Sequence, residues 1–159
     1  MVDNDLRKVV ENELRKNIKD ELLREDLEFI LDVLERNYRI LSSYEKYIKE
    51  IATGKFTWGP CHSENFWKEH VKKFEKNNFQ MIQTLVDRLG SDDSTTRSIA
   101  CYDLGEFCRF HHFARTVLEN NGGKAKLMGM IQEDESAVRE QALLAVQKMV
   151  IHNWQSLRA

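Results

Sequence analysis

The sequence predicts an all-α protein, and three observations support that class. The 159 residues include only one proline and seven glycines, which is too few turn residues for a protein of many strands. Apolar residues recur at spacings of three and four along most of the chain, as they do on one face of a helix. Hydrophobic residues make up 42% of the chain, which is enough for a packed core and excludes wholesale disorder.

Composition also excludes several classes of function. The formal net charge is −2, without the basic excess typical of a protein that binds nucleic acid non-specifically. No stretch approaches about 18 uncharged apolar residues, so we expect no membrane insertion. The first residues are charged throughout, unlike a signal peptide. We therefore expect Cys61, Cys101 and Cys108 to be reduced thiols in the cytosol.

Residues 1–53 are predicted to form the leading helices. Their apolar residues recur at helical spacing, as at Val9, Leu14, Ile18 and Leu22. Residues 42–45, Ser-Ser-Tyr-Glu, have the spacing of a capping box and predict that a new helix begins there. Gly54 is predicted to end that helix.

Residues 54–62, GKFTWGPCH, are predicted to form an aromatic loop, because two glycines and the only proline fall within them. Phe56, Trp58 and Pro60 form either a knob that docks onto a partner or an anchor that pins the loop onto its own domain. The anchor is favoured, since buried aromatic side chains commonly hold long loops in place.

Residues 63–159 are predicted to form helical repeats, beginning with a helix capped by Ser63 that buries Phe66 and Trp67. The segments that start at Leu85 and Leu127 align with an offset of 42 residues, and each contains a helix, an acidic turn and a longer helix. A period near 42 is typical of armadillo and HEAT repeats. We therefore expect one domain over 1–159, a right-handed superhelix of about eight helices.

The repeat alignment also argues against a metal site. Cys101, Cys108 and His112 share one helical face, which makes a zinc site conceivable. The offset, however, places the two cysteines on Leu143 and Val150, which we expect to be core positions of the next repeat. The thiols are therefore predicted to be core residues, with no metal bound.

No motif indicates catalysis or a cofactor. The Gly-Lys pairs at Gly54 and Gly123 lack the hydroxyl residue and the preceding strand of a phosphate-binding loop. No GxSxG motif is present, and Cys61 and His62 are merely adjacent in a loop. A groove for linear peptides is also disfavoured. The positions that carry a Trp and Asn ladder in peptide-binding armadillo proteins are occupied by Tyr102, Glu106, Leu144 and Lys148.

The acidic turn between the first repeat's helices is the better candidate for a regulatory contact, because a polar, exposed turn can reach a neighbouring protein. The alternative is a solvated turn in which Asp92, like Asp134 in the second repeat, caps the following helix. Arg97 recurs as Arg139, and we expect both to bridge their turns by hydrogen bonds, with partner binding as the alternative for Arg97. The candidate turn comprises Gly90, Ser91, Asp92, Asp93 and Ser94.

Residues 56–90 resemble a hallmark of the H-subunit family of the vacuolar-type proton ATPase. That family has an aromatic segment W-x-P-x-H-x(3)-F-W, which here comprises Trp58, Pro60, His62, Phe66 and Trp67. The segments NNGGKAKLM at 120–128 and VREQALLAVQKMVIHNW at 138–154 also match, as does ILSSYEKYIKEIATGKFTW ahead of the loop. The resemblance extends from about residue 25 to the end and identifies the family's C-terminal domain.

The resemblance implies a non-catalytic regulator that silences ATP hydrolysis when the soluble sector of the pump detaches. The implied partners are that sector and the cytosolic N-terminal part of the pump's a subunit. The E and G subunits of the peripheral stalk would be held mainly by the family's N-terminal domain, which we expect to be absent here. The implied location is cytoplasmic, peripheral to vacuolar, lysosomal or endosomal membranes through the pump. The alternative function is a free-standing armadillo-type adaptor or scaffold in the cytosol.

Overall fold

Eight α-helices and one 3₁₀ turn make up most of the chain in a computed structural model, which describes residues 2–16 and 20–158. No strand occurs in these ranges, so the all-α prediction with about eight helices is confirmed, and the arrangement is compatible with an armadillo- or HEAT-like superhelix. The helices are α1 (Val2–Arg15), α2 (Glu21–Thr53), α3 (Glu64–His70), α4 (Lys76–Arg88), α5 (Ser94–Phe110), α6 (Ala114–Asn120), α7 (Gly123–Met130) and α8 (Ser136–Arg158), with the 3₁₀ turn at Val71–Glu75.

The chain divides into two compact units, which we call the N-terminal unit (Met1–Ser43) and the main unit (Tyr44–Ala159). In the N-terminal unit, the Arg7 guanidinium on α1 lies 3.3 Å from the Glu35 carboxylate on α2. The single domain expected over 1–159 stays a prediction. Ile18, one of the residues used to predict the leading helices, lies outside the described residues.

Helix α2 is continuous from Glu21 to Thr53, so the prediction that a new helix begins at residues 42–45 is wrong. A capping-box spacing is a weak local signal, and helical spacing continues beyond it through Tyr44, Tyr47, Ile48 and Ile51. Tyr47 and Ile51 are buried in the core of the main unit. That burial favours continuation of the helix over a cap.

Helices α5 and α8 form the centre of the main unit. They approach closely at Gly105, where an added Cβ would lie 3.0 Å from the Cα of Ala145. Phe66 and Trp67 are buried beside them, as predicted. The remaining core comes from α4 to α8 and includes Ile82, Leu85, Val86, Ile99, Leu104, Phe107, Leu118 and Leu127.

The repeat alignment predicts the core correctly for α5 and wrongly for α8. Cys101 and Cys108 are buried, as expected. Leu143 and Val150 are 44% and 51% exposed, although the alignment equates them with those cysteines. Helix α8 is the last helix described, so the face that a following helix covers in a repeat stack is uncovered in the structure.

Three helix ends follow the sequence signals, with one shift. Gly54 ends α2 with a left-handed φ of +76°, and the Ser63 hydroxyl caps α3 by accepting from the Phe66 amide at 3.3 Å. The cap of α5 is Asp93, not Asp92, because the Asp93 carboxylate accepts from the Thr96 amide at 2.9 Å. Asp134 also precedes the start of its helix by one residue too many, since α8 begins at Ser136.

Candidate docking face

The aromatic loop is fastened to the main unit at its first half. The Phe56 side chain is buried, and its backbone amide donates to the Thr96 hydroxyl at 3.0 Å. The Thr57 amide donates to the Glu50 carboxylate at 2.7 Å. These bonds tie the loop to α5 and to the last turn of α2. Phe56 is therefore an anchor, and its buried ring offers no surface to a partner.

A buried carboxylate, Asp103 on α5, fastens the second half of the loop. It accepts from the Tyr47 hydroxyl at 2.8 Å, from His62 Nδ1 at 2.7 Å and from Trp67 Nε1 at 2.9 Å. The three donors belong to α2, the loop and α3, so one side chain connects four parts of the fold. Because every side chain in this group is buried, each of these bonds matters to stability.

His62 lies between two carboxylates. Its Nδ1 contacts Asp103, and its Nε2 lies 3.1 Å from Glu50 Oε2. Burial lowers the pKa of His62, but the hydrogen bond and charge of Asp103, with a contribution from Glu50, outweigh burial and raise the pKa above its usual value. The imidazolium can donate to both carboxylates at once, which keeps the negative charge of Asp103 compensated inside the core.

The loop exposes its central residues. The Trp58 indole is 50% exposed and packs edge-on against Tyr102, with ring centroids 5.5 Å apart. Pro60 is exposed, and its carbonyl accepts from the Ser63 hydroxyl at 2.8 Å. The structure thus divides the three predicted loop residues, because Phe56 is an anchor whereas Trp58 and Pro60 face solvent from a fixed backbone.

The acidic turn lies next to the loop, and Thr96 connects them. The Thr96 hydroxyl donates to Asp93 at 2.6 Å and accepts from the Phe56 amide. The side-chain and backbone hydrogen bonds from Thr96 lower the pKa of Asp93, helped by the charges of Lys55 and Arg97. Gly90 and Asp92 are exposed, while Ser91 and Ser94 are half-buried.

Arg97 bridges the turn, as the sequence predicts. Its Nη1 donates to the Ser91 carbonyl at 2.8 Å and to the Asp92 carbonyl at 3.2 Å. Arg139 repeats this arrangement in the second repeat, donating to the Glu133 carbonyl at 2.8 Å. The turn-bridging role is confirmed for both arginines. The partner-binding role of Arg97 stays a prediction.

Exposed residues of the loop and turn therefore occupy neighbouring positions along the first half of α5. We call Trp58, Pro60, Gly90 and Asp92 the docking face. Phe56, Asp93 and Arg97 hold these residues from behind or from the side. That any of them contacts a partner stays a prediction.

The predicted ladder positions lie beside Trp58. The Lys148 ammonium is paired with the buried Glu106 carboxylate and lies 4.9 Å from the centroid of the Tyr102 ring. Burial and the charge of Glu106 are the leading causes that raise the pKa of Tyr102 to about 12. An internal ion pair therefore fills positions that a peptide-binding groove would use to hold its ligand.

The structure gives no geometry for metal or thiol chemistry in the ranges that it describes. No group of three His, Cys, Asp or Glu side chains there could hold a metal ion. Burial raises the pKa of Cys101 and of Cys108 to about 12, so neither thiol forms a nucleophilic thiolate near neutral pH. Among the described helices, none is long and apolar enough to span a membrane.

Sequence reasoning missed the residues that fasten the docking face. Asp103, Thr96 and Glu50 are not among the candidates that the sequence indicates. A signal existed for Asp103, because the 42-residue offset places it on Ala145, a core position where a carboxylate requires partners. Thr96 and Glu50 offered no comparable signal, since polar residues near helix ends are common.

Comparison with known proteins identifies the family. A family model for the H subunit of the V-ATPase matches residues 40–154. The chain is 37% identical over 137 residues to a probable V-type proton ATPase H subunit, the second of its kind in Caenorhabditis elegans, covering 85% of this chain and 29% of that protein. It is 37% identical over 134 residues to the V-type proton ATPase H subunit of Drosophila melanogaster, covering 83% and 29%.

A third relative matches along the whole chain. The chain is 36% identical over 162 aligned residues to the V-type proton ATPase H subunit of Dictyostelium discoideum, covering 100% of this chain and 36% of that protein. The chain thus spans about a third of the length of these curated relatives. Because the family model matches most of the chain, this protein belongs to the V-ATPase H-subunit family and corresponds to its C-terminal domain.

Proposed function

We propose that this chain is a non-catalytic regulatory part of the vacuolar-type proton pump, which restrains ATP hydrolysis by the soluble sector through protein–protein contacts. The observation that carries the proposal is its membership of the V-ATPase H-subunit family. Its implied partners are the soluble sector and the cytosolic N-terminal part of the a subunit. Its implied location is the cytoplasmic side of vacuolar, lysosomal or endosomal membranes.

The proposed mechanism is mechanical. A rotary motor stops when a rigid body bridges a stationary and a rotating part, and this requires no chemistry from the inhibitor. The docking face suits such contacts, because its loop is held by the buried Asp103 hydrogen bonds while Trp58 stays half-exposed. Side chains that are already fixed lose little conformational entropy on binding.

Trp58 and Asp92 would have different roles in this contact. A half-exposed indole on a fixed loop can fill an apolar pocket, and tryptophan is among the residues that most often dominate binding energy. Asp92 is exposed beside it and adds a negative charge at the turn. Such a rim charge affects mainly the association rate and its salt dependence.

An ATPase assay tests the proposal. Detached soluble sector is titrated with the 159-residue chain, and hydrolysis is measured together with binding in the same preparation. We expect hydrolysis to fall to a plateau as the binding sites fill. Unchanged hydrolysis at saturating, verified binding would contradict the inhibitory role. A pull-down from cell extract would separate this role from the adaptor alternative, which predicts capture of an unrelated protein and no pump components.

A further inference from the structure

The outer face of α2 in the N-terminal unit carries apolar side chains that the chain does not cover. Ile30 and Val33 are 41% and 38% exposed, although Leu27, Leu31 and Leu34 on the inner face are half-buried. The helix therefore has a second apolar face besides the one that it uses within the unit. The other exposed apolar residues on this outer face are Leu22, Leu23 and Phe29, of which Leu22 is the most exposed at 74%.

The outer face follows a heptad pattern. Leu23, Asp26, Ile30, Val33 and Asn37 are separated by steps of three, four, three and four residues, the spacing of a coiled-coil seam. Asp26 and Asn37 are the polar members, and both are exposed. A polar residue within such a seam fixes the register and orientation of the pairing helices, at some cost in stability.

Their positions favour an antiparallel partner with the same sequence. Asp26 and Asn37 lie equally far from the centre of the seam, which falls between Ile30 and Val33. Two copies paired antiparallel about that centre place Asp26 of one copy opposite Asn37 of the other. The amide can then donate to the carboxylate twice, once on each side of the two-fold axis. Parallel pairing would instead place two Asp26 carboxylates side by side, where they repel.

We propose that this protein self-associates into a two-fold dimer through the Leu23–Asn37 seam of α2, with the two helices antiparallel. Ile30 of each copy packs against Val33 of the other at the centre. Phe29 and Leu22 flank the seam and extend its apolar area. This interface involves neither the docking face nor the proposed inhibition of the pump, and it stands independently of both.

Sedimentation velocity of the 159-residue chain tests the dimer. Over a concentration series reaching about 100 µM, well above the Kd of a micromolar dimer, we expect a species of twice the 18.8 kDa chain mass. A single species of 18.8 kDa throughout would overturn the proposal. A species larger than a dimer would also overturn it, because a closed two-fold contact uses the seam completely.

Ile30→Glu places a charge at the centre of the seam. We expect it to raise the dimer Kd by at least about 30-fold, as for the loss of an interface hot spot. The cooperative melting of the main unit should persist, because Ile30 lies outside that unit. Leu143→Glu is the matched control, since Leu143 is as exposed as Ile30 but lies on α8. A dimer that survives Ile30→Glu, or that is lost with Leu143→Glu, would overturn the assignment.

Asn37→Lys tests the orientation. In the antiparallel dimer the new ammonium faces Asp26 of the other copy, so we expect the Kd to fall. In a parallel dimer two ammonium groups would face each other and the Kd would rise, which would overturn the proposed register. Asn37→Asp gives the opposite sign in the antiparallel dimer, because it places a second carboxylate opposite Asp26.

Discussion

Replacing Asp103 by asparagine tests the hydrogen-bond cluster that fastens the aromatic loop. The substitution preserves the shape of the side chain but leaves one acceptor oxygen for three buried donors, Tyr47, His62 and Trp67. Either orientation of the amide leaves at least one of them facing an NH₂ group. The change also removes the negative charge that compensates the His62 imidazolium.

The expected cost follows from these two losses. A buried donor without an acceptor costs about 1–3 kcal/mol, and breaking a buried ion pair costs about 3–5 kcal/mol. Because the two losses share one site and are not additive, we expect the free energy of unfolding to fall by about 3–5 kcal/mol. This is a large part of the total for a domain of this size, which is about 5–15 kcal/mol.

Urea unfolding measures this loss. The experiment is best done at about pH 6, below the ordinary histidine pKa, where His62 is charged in the folded protein. Asp92→Asn is the matched control, since Asp92 is exposed, and we expect it to change the free energy of unfolding by no more than about 0.5 kcal/mol. A loss below about 1 kcal/mol for Asp103→Asn would show that the cluster does not hold the fold.

Three further predictions concern single positions. Because the folded pKa of His62 is raised, its contribution is complete below its ordinary pKa of about 6.5 and is lost as pH rises through the folded pKa; the difference in urea midpoint between wild type and His62→Gln should therefore shrink from acid to alkaline pH. Gly54→Ala should lower the free energy of unfolding by about 1–2 kcal/mol, because φ is +76° and a guanidinium lies 2.9 Å from the added Cβ; Gly59→Ala, with no atom within 4 Å of its Cβ, is the near-neutral control in the same thermal melts. Leu143→Asp should fold with a cooperative melt because Leu143 is exposed, whereas Ala142→Asp buries a charge and should abolish that melt; equal melts for these two variants would contradict the assigned faces of α8.

Local patterns predict most helix ends and the α5 core correctly. The positions of Gly54 and Ser63 carry the signal within one or two residues, so sequence alone locates the ends of α2 and α3. Cys101 and Cys108 are identified as core because successive helical repeats cover the same face of each helix.

The errors arise where neighbouring elements decide the outcome. Leu143 occupies the same repeat position as Cys101 but is exposed, because covering that position requires a helix beyond α8, the last one described. Residues 42–45 look like a helix start, yet burial of Tyr47 and Ile51 favours a continuous helix. Periodicity describes one helix at a time and does not report what lies against it.

The candidate site is only partly predictable for the same reason. Aromatic content identifies the loop, but the burial of Phe56 and the exposure of Trp58 depend on Thr96 and Tyr102, which are distant in sequence. The connection between loop and acidic turn through one threonine hydroxyl has no sequence signature.

The affinity of Trp58 variants for the soluble sector of the pump decides whether the docking face is the surface that binds it. Surface plasmon resonance on immobilised soluble sector compares the wild-type chain with Trp58→Ala and with Phe113→Ala as control. Phe113 is an exposed aromatic residue just beyond the opposite end of α5. If the docking face binds the pump, Trp58→Ala should weaken binding by at least about 30-fold, while Phe113→Ala should bind as the wild type does. Equal affinities for the wild type and Trp58→Ala would contradict this assignment of the docking face.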